Sequence, residues 1–386
     1  MRGHVRKRGT KWAAVVYLGY DEHGKKRYKW HGGFNTKKEA QNFLAQTITE
    51  LEKGEYVEPA KETVGSYLER WLEIKRESLR HGTYRKYEWL IRRHILPNLG
   101  KIELAKLRPQ HLERFYTELR DRLSKRSILH AHLLLHAALD RAVKQGLVSR
   151  NVADTVEAPR ADAYRATIWT PAEVARFLAE SRDMEPGYWI AWVLAVYTGM
   201  RQAEILGLKW SDIDWTLGYL RVDRTLKYVR GEPVFQDPKT ERSRRSIALS
   251  SDTMEALRWH RQQQDRVRLQ MGDAYDDQDM VLATAYGRPL SQNTLAHVWQ
   301  RLLAKIDVPR IRFHDLRHTH ASLLLQQGVQ AKVVSERLGH STITTTLDTY
   351  THVVPVLQKE AAERLDELFR DTKISKRFAD ESEDKN

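Results

Sequence analysis

At 386 residues the chain is too long for one compact core and implies two or three domains. Its 65 lysines and arginines against 51 acidic residues give a formal charge of +14, which favours a polyanionic partner, nucleic acid ahead of an anionic membrane surface. The absence of cysteine excludes disulfides, thiolate nucleophiles and cysteine-ligated zinc; apolar stretches such as Trp189 to Tyr197 fall far short of the roughly 20 residues that span a bilayer, and no charged-then-apolar leader opens the chain, so a soluble intracellular protein without a membrane partner is expected.

Residues 1–58 form the first segment. Two runs rich in β-formers, Lys11 to Tyr20 and Lys26 to Phe34, flank the turn Asp21-Glu22-His23-Gly24 and predict a β-hairpin. Thr36 then caps a helix from Lys37 to about Lys53, stopped by Gly54. Met1 to Lys38 holds eleven lysines and arginines against two acids, interleaved with Trp12, Tyr17, Tyr28 and Trp30. Such a ribbon can enter a major groove; the alternative is a solvated hairpin whose aromatics pack on the helix.

Residues 60–155 read as all-helical. Thr63 opens an amphipathic run that carries Tyr67, Leu68, Trp71, Leu72 and Ile74 toward a core. Thr83 begins a second helix that Pro97 and Gly100 end, Pro109 sits in the first turn of a third, and Ser124 starts a fourth that Gly146 closes. Basic residues from Lys75 to Arg93 could bind phosphates, although charged solvent-facing helices are ordinary. His130, His132 and His136 sit in an apolar helical setting that favours packing or surface roles, and no site is assigned to them.

The periodicity lapses around Val156 to Trp169, and Thr170-Pro171-Ala172-Glu173 then combines an N-cap, a first-turn proline and a capping-box glutamate. The segment that follows, 165–370, mixes helices with strands near Tyr219 to Tyr228, Pro233 to Gln236 and Arg244 to Leu249. Pro355 to Arg370 reads as an amphipathic helix, suited to docking on its own domain or on a neighbouring subunit. Residues 371–386 are polar and aperiodic, as in a disordered tail.

The chemistry-bearing pieces lie in this third segment. Thr198-Gly199-Met200-Arg201 places Arg201 at a helix start, with Glu204 three residues on and able to orient it; alone, a surface ion pair would be the better reading. Lys239 stands in the basic turn Pro238 to Arg245 between two predicted strands, where a lysine could donate a proton. His314-Asp315-Leu316-Arg317-His318-Thr319-His320 opens a helix with His314 and Arg317 on one face. A metal site on His314, His318 and His320 is the rival there, opposed by the cation Arg317 between them. Gly339 and His340 form a turn, and a threonine-rich segment from Ser341 ends in Asp348-Thr349-Tyr350-Thr351-His352. An isolated tyrosine is more often a packed ring, so the weight on Tyr350 rests on the histidines and arginines.

In that order, the pieces resemble the tyrosine recombinase or phage integrase family, whose signature runs arginine, lysine, histidine-x-x-arginine, histidine or tryptophan, then tyrosine. The match gives those roles to Arg201, Lys239, His314, Arg317, His340 and Tyr350, with Glu204 in support; Leu338 to Ser341 and Thr349 to His352 are also similar to family wording. Tyr350 follows His340 by ten residues, one more than in some members. The helical segment resembles the family's core-site binding domain, and the first segment the arm-site binding domain of the longer integrases.

The resemblance implies a multidomain fold, mainly α with small antiparallel β: a small sheet plus helix (1–58), a four-helix core-site domain (60–155) and an α+β catalytic domain (165–370). It implies a site-specific recombinase that cleaves and rejoins DNA through a 3′-phosphotyrosyl link to Tyr350. Arg201 and Arg317 would hold the two non-bridging oxygens, His314 would ease loss of the phenolic proton, Lys239 would protonate the departing 5′ oxygen and His340 would bond the phosphate. The ester conserves the energy of the broken bond, so no cofactor or metal is expected. Implied partners are double-stranded DNA at core and arm sites, three further copies of the chain in a tetramer, and an excisionase or host bending factor, all in the cytoplasm of a bacterial host. A type IB topoisomerase, a catalytically inert DNA-binding regulator and a histidine-metal hydrolase are the competing functions.

Overall fold

The computed structural model describes residues 3–20, 22–52, 62–162, 166–237, 243–340, 342–349 and 354–369, and the chain divides into two compact units, 1–164 and 165–386.

In the first unit, β1 (Gly3–Arg8), β2 (Lys11–Tyr20) and β3 (Lys26–Phe34) form an antiparallel sheet with β2 at its centre. The predicted hairpin is β2–β3; β1 is an addition. Its Arg6-Lys7-Arg8 run hides the strand, and the available signal is the two-residue turn Gly9-Thr10 between the paired Arg8 and Lys11, with Gly9 at φ 64. A cationic edge strand also resists pairing with a further chain. Helix α1 (Lys37–Glu52) packs on this sheet through Phe43, whose ring lies 5.2 Å from that of Phe34 and 4.8 Å from that of His31. Tyr28 and Trp30 do not join that core: they are about half exposed, and the Arg8 guanidinium lies over the Trp30 ring.

The helical part of this unit comprises α2 (Val64–Lys75), α3 (His81–Leu90), α4 (Leu96–Leu99), α5 (Pro109–Leu119) and α6 (Lys125–Lys144). Thr63, as predicted, caps α2 and exchanges hydrogen bonds with Ser66. Tyr67, Leu68, Trp71 and Leu72 reach the core, but Ile74 lies 62% exposed, because the buried stripe runs through 67, 68, 71 and 72 and position 74 falls off it. The second helix starts at His81 instead of Thr83 and ends at Gly100 as predicted, but Pro97 does not stop it: a π-turn at Ile91–Ile95 links α3 to α4, in whose first turn Pro97 stands. That turn widens the backbone just ahead of Pro97, which has no N–H to give and whose ring would otherwise strike the preceding turn. On α6, His132 is buried against the Tyr116 hydroxyl at 3.1 Å and His136 pairs with Asp154 at 2.8 Å, structural roles for two of the three histidines.

The second unit begins with α7 (Pro171–Met184), α8 (Pro186–Thr198) and α9 (Gln202–Leu206). α8 is apolar nearly all round and accordingly sits inside, where Trp192 packs among Phe177, Trp299 and Phe313. Fully burying each such ring contributes roughly 1.5–3 kcal/mol. The strand predicted from Tyr219 to Tyr228 divides into two. β4 (Ile213–Asp214), β5 (Tyr219–Val222) and β8 (Arg245–Ala248) form one antiparallel sheet in the order β4-β5-β8, while β6 (Thr225–Val229) pairs with β7 (Glu232–Gln236) in a separate two-stranded sheet. The segment carrying Lys239 therefore connects strands of two different sheets. After α10 (Ser251–Met271) and α11 (Gln292–Leu303), α12 (Asp315–Gln326) packs on α8, α13 (Ala331–Leu338) follows, and α14 (Ile343–Thr349) makes the threonine-rich segment helical. α15 (Val354–Phe369) agrees with the predicted amphipathic helix, and Leu365, Leu368 and Phe369 on it are exposed. No helix among the described residues is long and apolar enough to cross a membrane. The predicted tail 371–386 lies outside the described residues.

Candidate active site

Five of the seven side chains singled out in the sequence meet at the ends of α8, α12 and α13; Lys239 and Tyr350 lie outside the described residues. The first fixed point is Gly199, which ends α8 in the left-handed region at φ 65. A Cβ there would stand 2.6 Å from side-chain atoms of both His320 and Leu338, so glycine alone lets the end of α8 approach α12 and α13 this closely. Two residues later Arg201 is the N-cap of α9, and Glu204 accepts its backbone N–H at 2.9 Å and its Nη1 at 2.7 Å.

Glu204 is 2% exposed and serves two cations, because Arg245 donates Nη2 to it at 2.9 Å and Nη1 at 3.3 Å. Burial alone would raise its pKa, but Arg245 and then Arg201 more than offset that, and the carboxyl sits below its ordinary range.

Arg317 is only 3% exposed and is gripped from two sides: Nη1 donates to the Gly199 carbonyl and Nη2 to the Leu338 carbonyl, each at 2.7 Å. Both carbonyls lie at helix C-termini, where the backbone dipole favours a cation. The next carbonyl, that of Gly339, lies 3.5 Å from Arg201 Nη2. Adjacent peptides thus bring the two arginines together.

His340 is presented by the C-terminal turn of α13. Gly339 takes φ 66, and the His340 N–H returns to the Ser335 carbonyl at 3.0 Å. Its Nδ1 lies 2.7 Å from Oγ1 of the buried Thr346 on α14, which fixes the ring with Nε2 pointing away. Its pKa falls to about 3 through burial, then Arg317, Arg201 and Arg245. His314, at the N-cap of α12, keeps an edge open to solvent yet falls to about 4, through burial, then His318, Arg317, Arg201 and Arg312. Both imidazoles are therefore neutral at pH 7, and the same guanidiniums act on both, as expected of one site. The metal alternative loses a ligand here: His320 uses Nδ1 on the Val196 carbonyl and accepts Arg337 Nε at Nε2.

Sequence reasoning missed Arg245 and Thr346. Arg245 sits in a basic run in which nothing distinguishes it from Arg242 or Arg244, and Thr346 is one of several neighbouring threonines.

Buried neutral histidines also shape stability. His260 is lowered to about 4 by burial, against its bond to the Val281 carbonyl, and His320 to about 3 by burial and Arg337, so both bind a proton in the unfolded chain at a pH where the folded chain refuses it. Their contribution is complete above pH 6.5 and is lost as pH falls toward those folded values, with a slope approaching about 1.4 kcal/mol per pH unit for each histidine. We expect the denaturant midpoint of the second unit's transition to fall steadily between pH 6.5 and 5. A flat midpoint across that window would contradict the assignment.

A family model described as phage integrase family matches residues 169–355, the phage integrase N-terminal SAM-like domain matches 63–120, and an arm DNA-binding domain matches 4–51. Over 377 residues the chain is 31% identical to a protein of Caldanaerobacter subterraneus subsp. tengcongensis named tyrosine recombinase XerC-like, covering 92% of this chain and 95% of that one. Its fold is similar to that of the Tn1549 transposon integrase in complex with a circular intermediate DNA, with a TM-score of 0.68 at 21% identity over 79% of this chain and 99% of that one. It is also similar to that of the lambda integrase tetramer bound to a Holliday junction, with a TM-score of 0.56 at 20% identity over 89% of this chain and 96% of that one.

Proposed function

The chain belongs to the phage integrase family and is a tyrosine-type site-specific recombinase, and from that premise we propose how its residues divide the work. The observation that carries the assignment is the meeting of Arg201 and Arg317 on the consecutive carbonyls of Leu338 and Gly339, directly beside His340. Two guanidiniums held from behind suit the two non-bridging oxygens of a phosphodiester, which gain charge as phosphorus is attacked.

The phenolic oxygen of Tyr350 forms a bond to phosphorus while the bond from phosphorus to the 5′ oxygen breaks. The phenol, with a reference pKa of about 10, gives up its proton to the neutral His314 or to water beside it, and the field of Arg201 and Arg317 eases that loss. Lys239 supplies the proton that the leaving 5′ oxygen takes, and His340 donates from Nε2 to the phosphate while Thr346 holds Nδ1. The products are a 3′-phosphotyrosyl ester and a free 5′ hydroxyl. A 5′ hydroxyl from a second duplex reverses the step on the new partner, so no external energy source enters.

Two duplexes exchanging both strands require four such cleavages, which suits a tetramer on DNA, with an excisionase or host bending factor as an accessory. The cationic sheet of residues 3–34, with Tyr28 and Trp30 outward, suits arm-type sites, and the helical part suits core sites. The corresponding domains are 1–58, 60–155 and 165–370, and the setting is the cytoplasm of a bacterium carrying a phage or other mobile element.

The test is covalent trapping on a nicked duplex that carries the attachment sequence, in excess EDTA, followed by peptide mapping of the adduct. The expected product joins a 3′ phosphate to Tyr350 and leaves a 5′ hydroxyl. A 5′-linked adduct, or linkage through another residue, would overturn the assignment.

A further inference from the structure

The Arg245 side chain is only 7% exposed, and Arg245 is the first residue of β8, just past the segment that carries Lys239. Its guanidinium makes contacts in three directions. Nη1 and Nη2 hold Glu204, the carboxylate that grips Arg201. Nε donates at 2.7 Å to the carbonyl of Arg337, one residue before the Leu338 carbonyl that receives Arg317. Nη1 also donates at 3.1 Å to the carbonyl of the buried Ser243, the first described residue after the Lys239 segment.

We propose that Arg245 is a positioning residue that sets Arg201, the arginine-binding turn at 338–340 and the base of the lysine segment in register, without touching the DNA. The inference rests on the functional reading above.

Its geometry explains the choice of side chain. A planar fork can satisfy a carboxylate along one edge and two carbonyls with its remaining N–H groups, whereas a lysine ammonium is a point charge on a flexible stem and cannot reach all three in plane. Arg337 reinforces the same turn from the other side: Nη1 donates to the Ala248 carbonyl at the end of β8, Nη2 to the Tyr197 carbonyl near the end of α8, and Nε to His320. With the turn anchored to β8, α8 and α12, the orientation of Arg201 through Glu204 is the contact that depends most on Arg245 alone.

The experiment measures the single-turnover rate of adduct formation at saturating nicked DNA for wild type, Arg245→Met and Arg245→Lys. Each is assayed on a normal scissile phosphate and on an uncharged methylphosphonate at the same position. Arg201 mainly neutralises the non-bridging oxygens, so a displaced Arg201 matters less when one of those oxygens is replaced by methyl. We expect Arg245→Met to be slower by at least about 30-fold on phosphate, with DNA affinity within about twofold of wild type, and the defect to shrink at least about tenfold on methylphosphonate. Arg245→Lys is expected to lie between the two and, by keeping a buried cation opposite Glu204, supplies the same comparison if the methionine variant does not fold. A rate within about twofold of wild type, or an equal defect on both substrates, overturns the proposal, since a purely structural loss cannot discriminate the two phosphorus groups. Absence of any adduct from wild type on phosphate would instead bring down the underlying functional reading, and this inference with it.

Discussion

Tyr350→Phe is expected to form no detectable covalent adduct, a loss of at least about 10⁴-fold, with binding to attachment-site DNA within about twofold of wild type. Phenylalanine keeps the ring and removes only the oxygen that would attack phosphorus, so the substitution isolates chemistry from packing. Rescue by a neighbour is disfavoured for a definite reason. The chain has no cysteine, and the adjacent Thr349 and Thr351 carry alcohols, which are far weaker acids than a phenol and yield far less of the attacking anion at neutral pH. The comparison is made on a denaturing gel with nicked DNA. A persistent adduct from the variant would place the nucleophile elsewhere.

Arg317→Lys is expected to lower the single-turnover cleavage rate by about 10²- to 10³-fold at saturating DNA and also to destabilise the second unit. Arg317 spans the carbonyls of Gly199 and Leu338 from one rigid plane, and an ammonium can serve only one of them well. The other becomes a buried acceptor without a donor, which costs about 1–3 kcal/mol and is readable as a lower denaturant midpoint. Because Arg317 is held by the ends of two helices, the rate and stability effects should appear together. Full activity with an unchanged midpoint would separate Arg317 from both roles.

The sequence revealed most where the determining interactions are local. Thr63, Ser124 and Thr170 cap the helices assigned to them, because a side-chain oxygen reaching an N–H two or three residues on needs no tertiary partner. Ile74, Pro97 and β1 went differently because each depends on distant structure: which stripe of α2 the bundle buries, whether a π-turn makes room for a proline, whether a cationic run finds a partner strand. The site divides in the same way. Motif order singled out Arg201, Glu204, His314, Arg317 and His340, and the fold brings these five side chains near one another. Nothing in that order says that arginines far apart in the chain meet on neighbouring carbonyls, since carbonyls have no letter in a sequence. Arg245 was hidden for the opposite reason, as one of many identical letters.

The glycine at 199 limits how freely this recombinase can be re-engineered. Retargeting to a new DNA sequence works by varying exposed residues, and the described surface offers many of them. Any side chain at 199, however, must displace an imidazole and a leucine while also adopting a backbone angle that costs L-residues about 1 kcal/mol or more. Its carbonyl would move too, taking with it one of the two supports of Arg317. Substitutions there are therefore not traversable by small steps, and evolutionary routes to a new specificity must go around that position with its glycine retained.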